Sequence, residues 1–178
     1  NLIFSNKSIN RYNLTQPIVQ KDKSKSLQKL REEINKIKNC KLKENASNLV
    51  FSDGNPNSRV MIIGEGPGAN EDKEGLPFVG RAGQLLDKML KAINLGREAV
   101  YITNVVNFRP PENRKPTERE VEMYLPYLKK HIEIIKPKII LLLGSTAMNA
   151  LLSNTDVISK MRGKWYEIEI NRLKIFSI

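Results

Sequence analysis

The feature of this sequence that most constrains its fold is the alternation of short apolar runs with segments of helical spacing. Three runs dominated by apolar residues occupy residues 59–63, 100–106 and 138–143. Such runs are typical of strands that are buried on both faces of a parallel sheet. Because helical segments separate them, we predict an α/β fold: a three-layer α/β/α sandwich around a mainly parallel four-stranded sheet.

The remaining elements follow from spacing and from helix-start signals. Amphipathic spacing predicts four helices, at residues 26–39, 81–93, 117–135 and 145–152. The third of these helices opens with a Thr–Glu capping pattern. Residues 165–170 and 173–178 are expected to form a closing hairpin or pair of strands. Residues 1–24 show no periodicity, so we expect an extended segment there, followed by one domain at residues 25–178.

Length and composition favour a single globular domain. The chain has 178 residues, of which 40% are apolar and 28% are charged. No apolar run approaches the length that crosses a bilayer, so no membrane partner is expected. Cys40 is the one cysteine and cannot form an internal disulfide. We therefore expect a cytoplasmic protein, and we predict a monomer.

The charge is strongly basic but unevenly placed. Thirty Lys and Arg against nineteen Asp and Glu give a net charge of +11, which suits a partner rich in phosphate. Residues 1–50 hold eleven basic and four acidic side chains, a net +7 that leaves +4 for the rest. Because a basic stretch is more often a solvated face or a flexible arm, charge alone does not identify a nucleic-acid-binding protein.

The turn after the first predicted strand is rich in glycine. Residues 64–72 have the sequence GEGPGANED, in which three glycines within five positions bring the backbone close to a flat ligand and Pro67 stiffens the turn. A dinucleotide-binding turn is disfavoured, because the loop is acidic and we expect no helix to begin at the third glycine. Ligands of such sheets bind beyond the carboxyl ends of the strands, where the loops after Ile63, Val106 and Leu143 should meet.

Four further segments follow in order: GLPFVGRAGQLL, then YITNVVNFRPPENRKPT, then IKPKIILLLGSTA, then RGKW. With the glycine-rich turn, they make the chain resemble the uracil-DNA glycosylase superfamily, and specifically its fourth family of thermostable-type enzymes. The resemblance extends from about Cys40 to the last residue. It implies a base excision repair enzyme that flips uracil out of DNA, hydrolyses its N-glycosidic bond and leaves an abasic site.

The resemblance also implies a role for particular residues. Glu65 corresponds to the acid that positions water, and Glu71 to a second acid that shapes the pocket or holds Glu65. Phe78 corresponds to the ring that stacks on the flipped base, and Asn104 to the amide that recognises the uracil edge. The backbone of Gly66 is expected to contact the base. In isolation, a turn residue, a core phenylalanine and a strand-end asparagine would be the simpler interpretations.

The chain departs from the family at the cysteines of its iron–sulfur cluster. The resemblance places Ile37, Cys40, Phe108 and Tyr124 at the four ligand positions, so a single thiol remains. Apolar and aromatic side chains would fill the volume of a cluster. We therefore predict that no iron–sulfur cluster or other metal is bound, and that Cys40 is an ordinary small hydrophobic residue.

A second departure concerns the histidine loop of the family, an HPS-type segment that stabilises the departing uracil. The sequence stops at Ile178, before the position of that loop, which favours a partial chain. The one histidine, His131, is expected on a helix surface. The alternatives are a non-catalytic DNA- or uracil-binding homologue without that loop, a relative with another damage preference, and a nucleotide-binding regulatory domain.

Overall fold

The computed structural model describes residues 23–152 and 157–178 of the chain. Its helices in these ranges are α1 (Ser24–Asn35), α2 (Lys41–Asn45), α3 (Ala69–Glu74), α4 (Arg81–Ala92), α5 (Glu118–Ile135), α6 (Ser145–Leu152) and α7 (Ile158–Met161). Its strands are β1 (Asp53–Gly54), β2 (Val60–Gly64), β3 (Tyr101–Asn104), β4 (Ile139–Leu142), β5 (Tyr166–Ile170) and β6 (Leu173–Ser177). The extended segment expected at residues 1–24 falls almost wholly outside the described residues. Within those ranges, no helix is both long enough and apolar enough to cross a membrane.

The strands form one sheet in the order β1-β3-β2-β4-β6-β5. The four inner strands are parallel, and the two edge strands are antiparallel to their neighbours. The α/β class and the mainly parallel sheet are thus confirmed, but the expected count of four strands is wrong, because the described residues form a sheet of six strands. Strand β1 is two residues long and has no apolar run, so the hydrophobic pattern could not predict it.

Helices cover both faces of the sheet. Successive residues of a strand point to opposite faces, so the apolar side chains of one strand pack against helices on both sides. Met61 and Ile63 of β2 belong to the larger apolar cluster, which includes buried residues of α1 and α5. Ile62 belongs to a smaller cluster on the other face, with Leu86 and Leu90 of α4. Each fully buried side chain of this kind stabilises the fold by about 1.5–3 kcal/mol. The three-layer arrangement therefore fixes β2 between two apolar clusters.

The boundaries of α4, α5 and α6 agree with the predicted helices to within one residue. The capping pattern of α5 is present: the Glu120 N–H donates to Thr117 Oγ1 over 3.3 Å, and the Thr117 N–H donates to Glu120 Oε2 over 2.8 Å. Helix α3 was not expected. It begins directly after Gly68, the third glycine of the turn, and its sequence ANEDKE has no apolar stripe that could predict it.

His131 is buried, so the prediction that it lies on the surface was wrong. Its ring stacks on that of Phe51 with the centroids 4.7 Å apart, and its Nε2 lies 2.6 Å from Tyr101 Oη. The face of α5 that carries Leu128 and Ile135 packs against the sheet, and His131 lies on the same face. Burial lowers the pKa of His131 to about 3, which keeps the ring neutral.

Candidate active site

The carboxyl ends of β2 and β3 open into a cleft of about 800 Å³. The β2 strand lies between β3 and β4, so the chain crosses from one side of β2 to the other after β3. A crevice at such a point is where ligands of open α/β sheets bind. The lining of the cleft includes every residue that the sequence placed in the site: Glu65, Gly66, Glu71, Phe78 and Asn104.

Gly64, the last residue of β2, brings two of these side chains together. It pairs with Asn104 across the parallel β2–β3 ladder. A Cβ atom at Gly64 would lie 2.5 Å from Phe78 Cζ and 2.6 Å from Asn104 Oδ1, distances that real Cβ atoms essentially never show. A glycine at this position therefore allows the aromatic ring and the amide to approach the same strand end.

Asn104 presents a buried amide to the cleft. The residue is 3% exposed, and its side chain makes no hydrogen bond to any residue in the described ranges. Its polar atoms line the cleft, so they are open to a ligand that offers complementary hydrogen bonds. Its carbonyl accepts and its NH₂ donates, which matches a base edge carrying one acceptor beside one donor.

The Glu65 carboxylate lies at the start of α6. Its Oε2 accepts a hydrogen bond from Thr146 Oγ1, and Thr146 is the second residue of that helix. The Glu65 carbonyl also accepts from the Val106 N–H over 3.2 Å. Negative charge is favoured near the N-terminus of a helix. One carboxylate oxygen is thus held in place, while Oε1 has no hydrogen-bond partner within the described residues.

Glu71 binds backbone amides of two loops. Its carboxylate accepts from the Gly68 N–H over 3.1 Å, from the Val79 N–H over 3.0 Å and from the Gly80 N–H over 2.7 Å. Hydrogen bonds to a charged acceptor of this kind contribute about 1.5–3 kcal/mol each. The carboxylate therefore joins the glycine-rich turn to the segment before α4, a geometry that favours the pocket-shaping role expected for it.

The backbone of Phe78 packs against α4 and is hydrogen-bonded by an arginine. Its φ angle is +56°, and a Cβ atom at Gly83 of α4 would lie 1.7 Å from its carbonyl oxygen. Arg97 donates from Nη1 to the Phe78 carbonyl over 3.0 Å and from Nη2 to the Pro77 carbonyl over 2.6 Å. The ring thus projects into the cleft from a backbone that is packed on one side and hydrogen-bonded on the other.

Gly66 offers a backbone donor at the mouth of the turn. Its N–H has no hydrogen-bond acceptor among the residues that the structure describes. A Cβ atom there would lie 2.7 Å from Val106 Cγ2, so the turn packs tightly against the chain after β3. The predicted contact between this N–H and a base stays a prediction, and the geometry leaves the group available for it.

Comparison with known proteins identifies the family of this chain. The family model described as the Uracil DNA glycosylase superfamily matches residues 51–177. The chain belongs to this superfamily. A type-4 uracil-DNA glycosylase of Sulfurisphaera tokodaii is 49% identical over 146 residues, which cover 79% of this chain and 66% of that protein.

Two further relatives carry the same name. The protein of Archaeoglobus fulgidus is 43% identical over 148 residues, which cover 81% of this chain and 74% of the relative. The protein of Thermotoga maritima is 46% identical over 133 residues, which cover 74% of this chain and 69% of the relative. The aligned part thus spans roughly two thirds to three quarters of each of the three relatives.

The four positions that the resemblance assigns to cluster ligands lie in the apolar core. Cys40, Phe108 and Tyr124 are buried in one cluster, and Ile37 packs against it. Cys40 Sγ lies 3.3 Å from Tyr124 Oη. No group of three or more His, Cys, Asp or Glu side chains in the described ranges could hold a metal ion. One thiol, with aromatic side chains around it, does not fit an iron–sulfur cluster.

Two residues of the site were missed by the sequence reasoning. Thr146 lies in the GSTA segment, which was recognised as part of a family motif but without a role for any residue in it. Arg97 had no signal, because its acceptors Pro77 and Phe78 precede it by 20 and 19 residues and form no motif with it. A residue that acts through another side chain or through a loop backbone leaves little trace in its own local sequence.

Proposed function

We propose that this chain excises uracil from DNA by hydrolysing the N-glycosidic bond, as a base excision repair glycosylase that leaves an abasic site. The observation that carries the proposal is the convergence of Asn104, Phe78 and Glu65 on one cleft at the carboxyl ends of β2 and β3. Relatives named type-4 uracil-DNA glycosylase, 42–49% identical, support the same activity. Uracil-containing DNA is accordingly the proposed partner.

Recognition of the base is proposed for Asn104 and Phe78. A base that has left the duplex stack needs another π-face, which the Phe78 ring supplies. The Asn104 amide donates to uracil O4 and accepts from N3–H, whereas cytosine presents the opposite pattern at these two positions. The free N–H of Gly66 adds a donor for the rim of the base. The cleft therefore distinguishes uracil from cytosine by hydrogen bonding.

Catalysis is proposed for Glu65. Cleavage of the glycosidic bond develops positive charge on the sugar, and a nearby carboxylate stabilises that charge and orients the attacking water. Thr146 holds Oε2 of Glu65, which leaves Oε1 to accept a hydrogen bond from that water. Glu71, whose carboxylate is occupied by three backbone N–H groups, is proposed to shape the pocket.

The experiment that tests this proposal is single-turnover excision of uracil by Glu65→Gln. Glutamine keeps the size of glutamate but loses its charge, so we expect binding of uracil-DNA to be retained and excision to slow on the order of a hundredfold, or about 2.7 kcal/mol. Glu74→Gln, on the exposed end of α3, is the matched control. Excision by Glu65→Gln at the native rate would remove Glu65 from the chemistry.

We also propose that no iron–sulfur cluster is bound. Support comes from the single thiol of the sequence and from the buried hydrogen bond between Cys40 and Tyr124, which joins two of the four positions assigned to cluster ligands. The measurement is iron and sulfide content together with the visible spectrum, after purification under nitrogen and after an attempted reconstitution. We expect neither iron in stoichiometric amount nor cluster absorbance. Stoichiometric iron and sulfide would contradict the proposal.

The non-catalytic alternative, a homologue that binds DNA or uracil, predicts binding of uracil-DNA by the unmodified chain without release of uracil. The excision assay on the unmodified chain separates the two functions directly. The monomeric state and the cytoplasmic compartment stay predictions. Sedimentation analysis of the chain with and without a uracil duplex tests the first of them.

A further inference from the structure

We propose that Arg97 is a positioning residue for base recognition, which acts together with Glu71 to hold the backbone of Phe78. The two charged side chains bind the segment 77–80 from opposite sides, and we call this arrangement the loop clamp. The inference rests on the proposed function, because the ring that the clamp holds is the one assigned to stacking on uracil. It adds Arg97 to the residues that determine how tightly a flipped base is bound.

The clamp engages four consecutive residues of the segment. Arg97 donates to the carbonyls of Pro77 and Phe78, over 2.6 Å and 3.0 Å. Glu71 Oε1 accepts from the N–H groups of Val79 and Gly80, over 3.0 Å and 2.7 Å. The peptide unit that links residues 78 and 79 is thus bonded at its oxygen to a cation and at its nitrogen to an anion. Rotation of that unit would break both interactions.

Such a constraint is needed because the backbone of Phe78 is unusual. Its φ angle of +56° lies in the left-handed region, which bulky residues rarely adopt. A conformation of this kind persists only where the surroundings fix it. Gly83 provides the packing, since its Cα lies against the Phe78 carbonyl, but packing alone does not prevent rotation away from α4. The directional hydrogen bonds of the clamp supply that restriction.

Arg97 is itself held by two carboxylates from different elements. Its Nε donates to Asp53 of β1 over 2.7 Å, and its Nη1 lies 2.9 Å from Asp87 of α4. The guanidinium side chain is only 25% exposed. A planar group with donors in a fixed fork can bond two carbonyls and two carboxylates together, whereas a lysine ammonium cannot match that geometry. The role therefore requires arginine and not simply a positive charge.

The test is a double-mutant cycle on binding of a duplex that carries 2′-fluoro-2′-deoxyuridine, whose glycosidic bond resists cleavage. Affinity is expressed as the ratio of Kd values for a thymine duplex and for this analogue, so that general DNA binding cancels. We expect Phe78→Ala to lower the ratio about tenfold, as base–aromatic stacking implies. Arg97→Gln should lower it several-fold to about tenfold, and the double variant should be no worse than Phe78→Ala.

Arg59→Gln is the control, because Arg59 is exposed at the opposite end of β2 and its substitution removes the same charge. It should leave the ratio unchanged. Arg97→Lys, which keeps the charge, should fall between the native chain and Arg97→Gln, and it carries the cycle if Arg97→Gln does not fold. Effects of Arg97 and Phe78 that multiply, or an Arg97→Gln ratio equal to that of the native chain, would overturn the inference.

The outcome is separable from that of the proposed function. Excision of uracil by the unmodified chain is measured in parallel on cleavable DNA. A chain that prefers the analogue and shows the coupled effects, yet releases no uracil, would overturn the activity and leave the loop clamp supported. A chain that shows no preference for the analogue would overturn the loop clamp as a recognition device.

Discussion

The base selectivity of the proposed reaction depends on one amide, that of Asn104, which is fixed at the end of β3. The parallel register sets its Cα beside that of Gly64, and the absent Cβ of Gly64 leaves room for Oδ1. The residue lines the cleft, and its side chain makes no hydrogen bond within the described part of the chain. Its pairing capacity is therefore available to a base, and a wrong base would leave the group unsatisfied.

We expect Asn104→Asp to reduce excision of uracil on the order of a hundredfold or more and to narrow the discrimination against cytosine. A carboxylate has no donor for uracil O4, but it can accept from the exocyclic N4–H of cytosine. The measurement is the single-turnover rate on matched uracil and cytosine duplexes. Asn94→Asp, exposed just after α4, is the control for the added charge. Unchanged rates for both bases would show that Asn104 does not read the base.

Residues of the site could be predicted where they belong to a short sequence motif. They could not be predicted where they act through partners that are distant in the sequence. Glu65, Phe78 and Asn104 each lie in a recognisable segment, and parallel strands bring the ends of those segments to one edge. Thr146 reaches Glu65 from 81 residues away, and Arg97 reaches Asp53 across 44 residues. Contacts of that range are set by the tertiary packing, which no pattern within one segment encodes.

At the scale of elements, the regular spacing of apolar residues determined which helices and strands could be predicted from the sequence. The amphipathic helices α4 and α5 were predicted closely, because their apolar residues recur on one face and bury it against the sheet. Helix α3 and strand β1 lack such a pattern. The first is stabilised by Glu71 accepting from the Gly68 N–H, and the second by two residues of pairing with β3. The formation of such short elements depends on capping hydrogen bonds and on pairing with neighbouring strands, and not on a hydrophobic pattern.

In helix α4, a Gly83→Ala substitution affects stability in two opposite directions, because helix propensity favours alanine and packing disfavours it. Alanine is favoured over glycine inside a helix by about 1 kcal/mol. Gly83→Ala would nevertheless place a Cβ atom 1.7 Å from the Phe78 carbonyl oxygen, so the helix must move away from the segment 77–80. We expect the free energy of unfolding to fall by about 1–3 kcal/mol, measured by urea denaturation, together with weaker binding of uracil-DNA.

The control for this substitution is Gln84→Ala, at the adjacent exposed position of the same helix. The substitution changes helix propensity slightly and keeps the backbone hydrogen bond from the N–H of residue 84 to the Gly80 carbonyl. Its unfolding free energy should therefore stay within about 0.5 kcal/mol of the native value. A stabilised Gly83→Ala would show that propensity outweighs the close approach, and that α4 does not rest directly on the Phe78 backbone.

At the scale of the whole molecule, one buried histidine joins the helical layer to the sheet. His131 of α5 contacts Tyr101 of β3 and stacks on Phe51, so three separate parts of the chain meet at its ring. The ring occupies a core position as a neutral group, since burial lowers its pKa to about 3. Its helical spacing from Leu128 and Ile135 was visible in the sequence, but the polar residue type favoured the surface.

This burial predicts a pH dependence of stability with a definite sign. The unfolded chain binds a proton at His131 below its ordinary pKa of 6.5, whereas the folded chain binds it only below about 3, so acid favours the unfolded state. The contribution is absent above pH 6.5, and stability is lost as the pH falls from there towards 3. From this group alone, the free energy of unfolding should be about 2 kcal/mol lower at pH 5 than at pH 8.

The measurement is urea denaturation at constant ionic strength between pH 8 and pH 5. His131 is the one histidine of the sequence, so no other imidazole titrates in this range. The non-titrating variant His131→Gln should be less stable at pH 8, because it loses the stacking on Phe51, but its unfolding free energy should change much less with pH. An equal slope for the variant and the native chain would mean that the ring takes up its proton inside the folded protein, and the Tyr101–His131 contact would then have to open at mildly acidic pH.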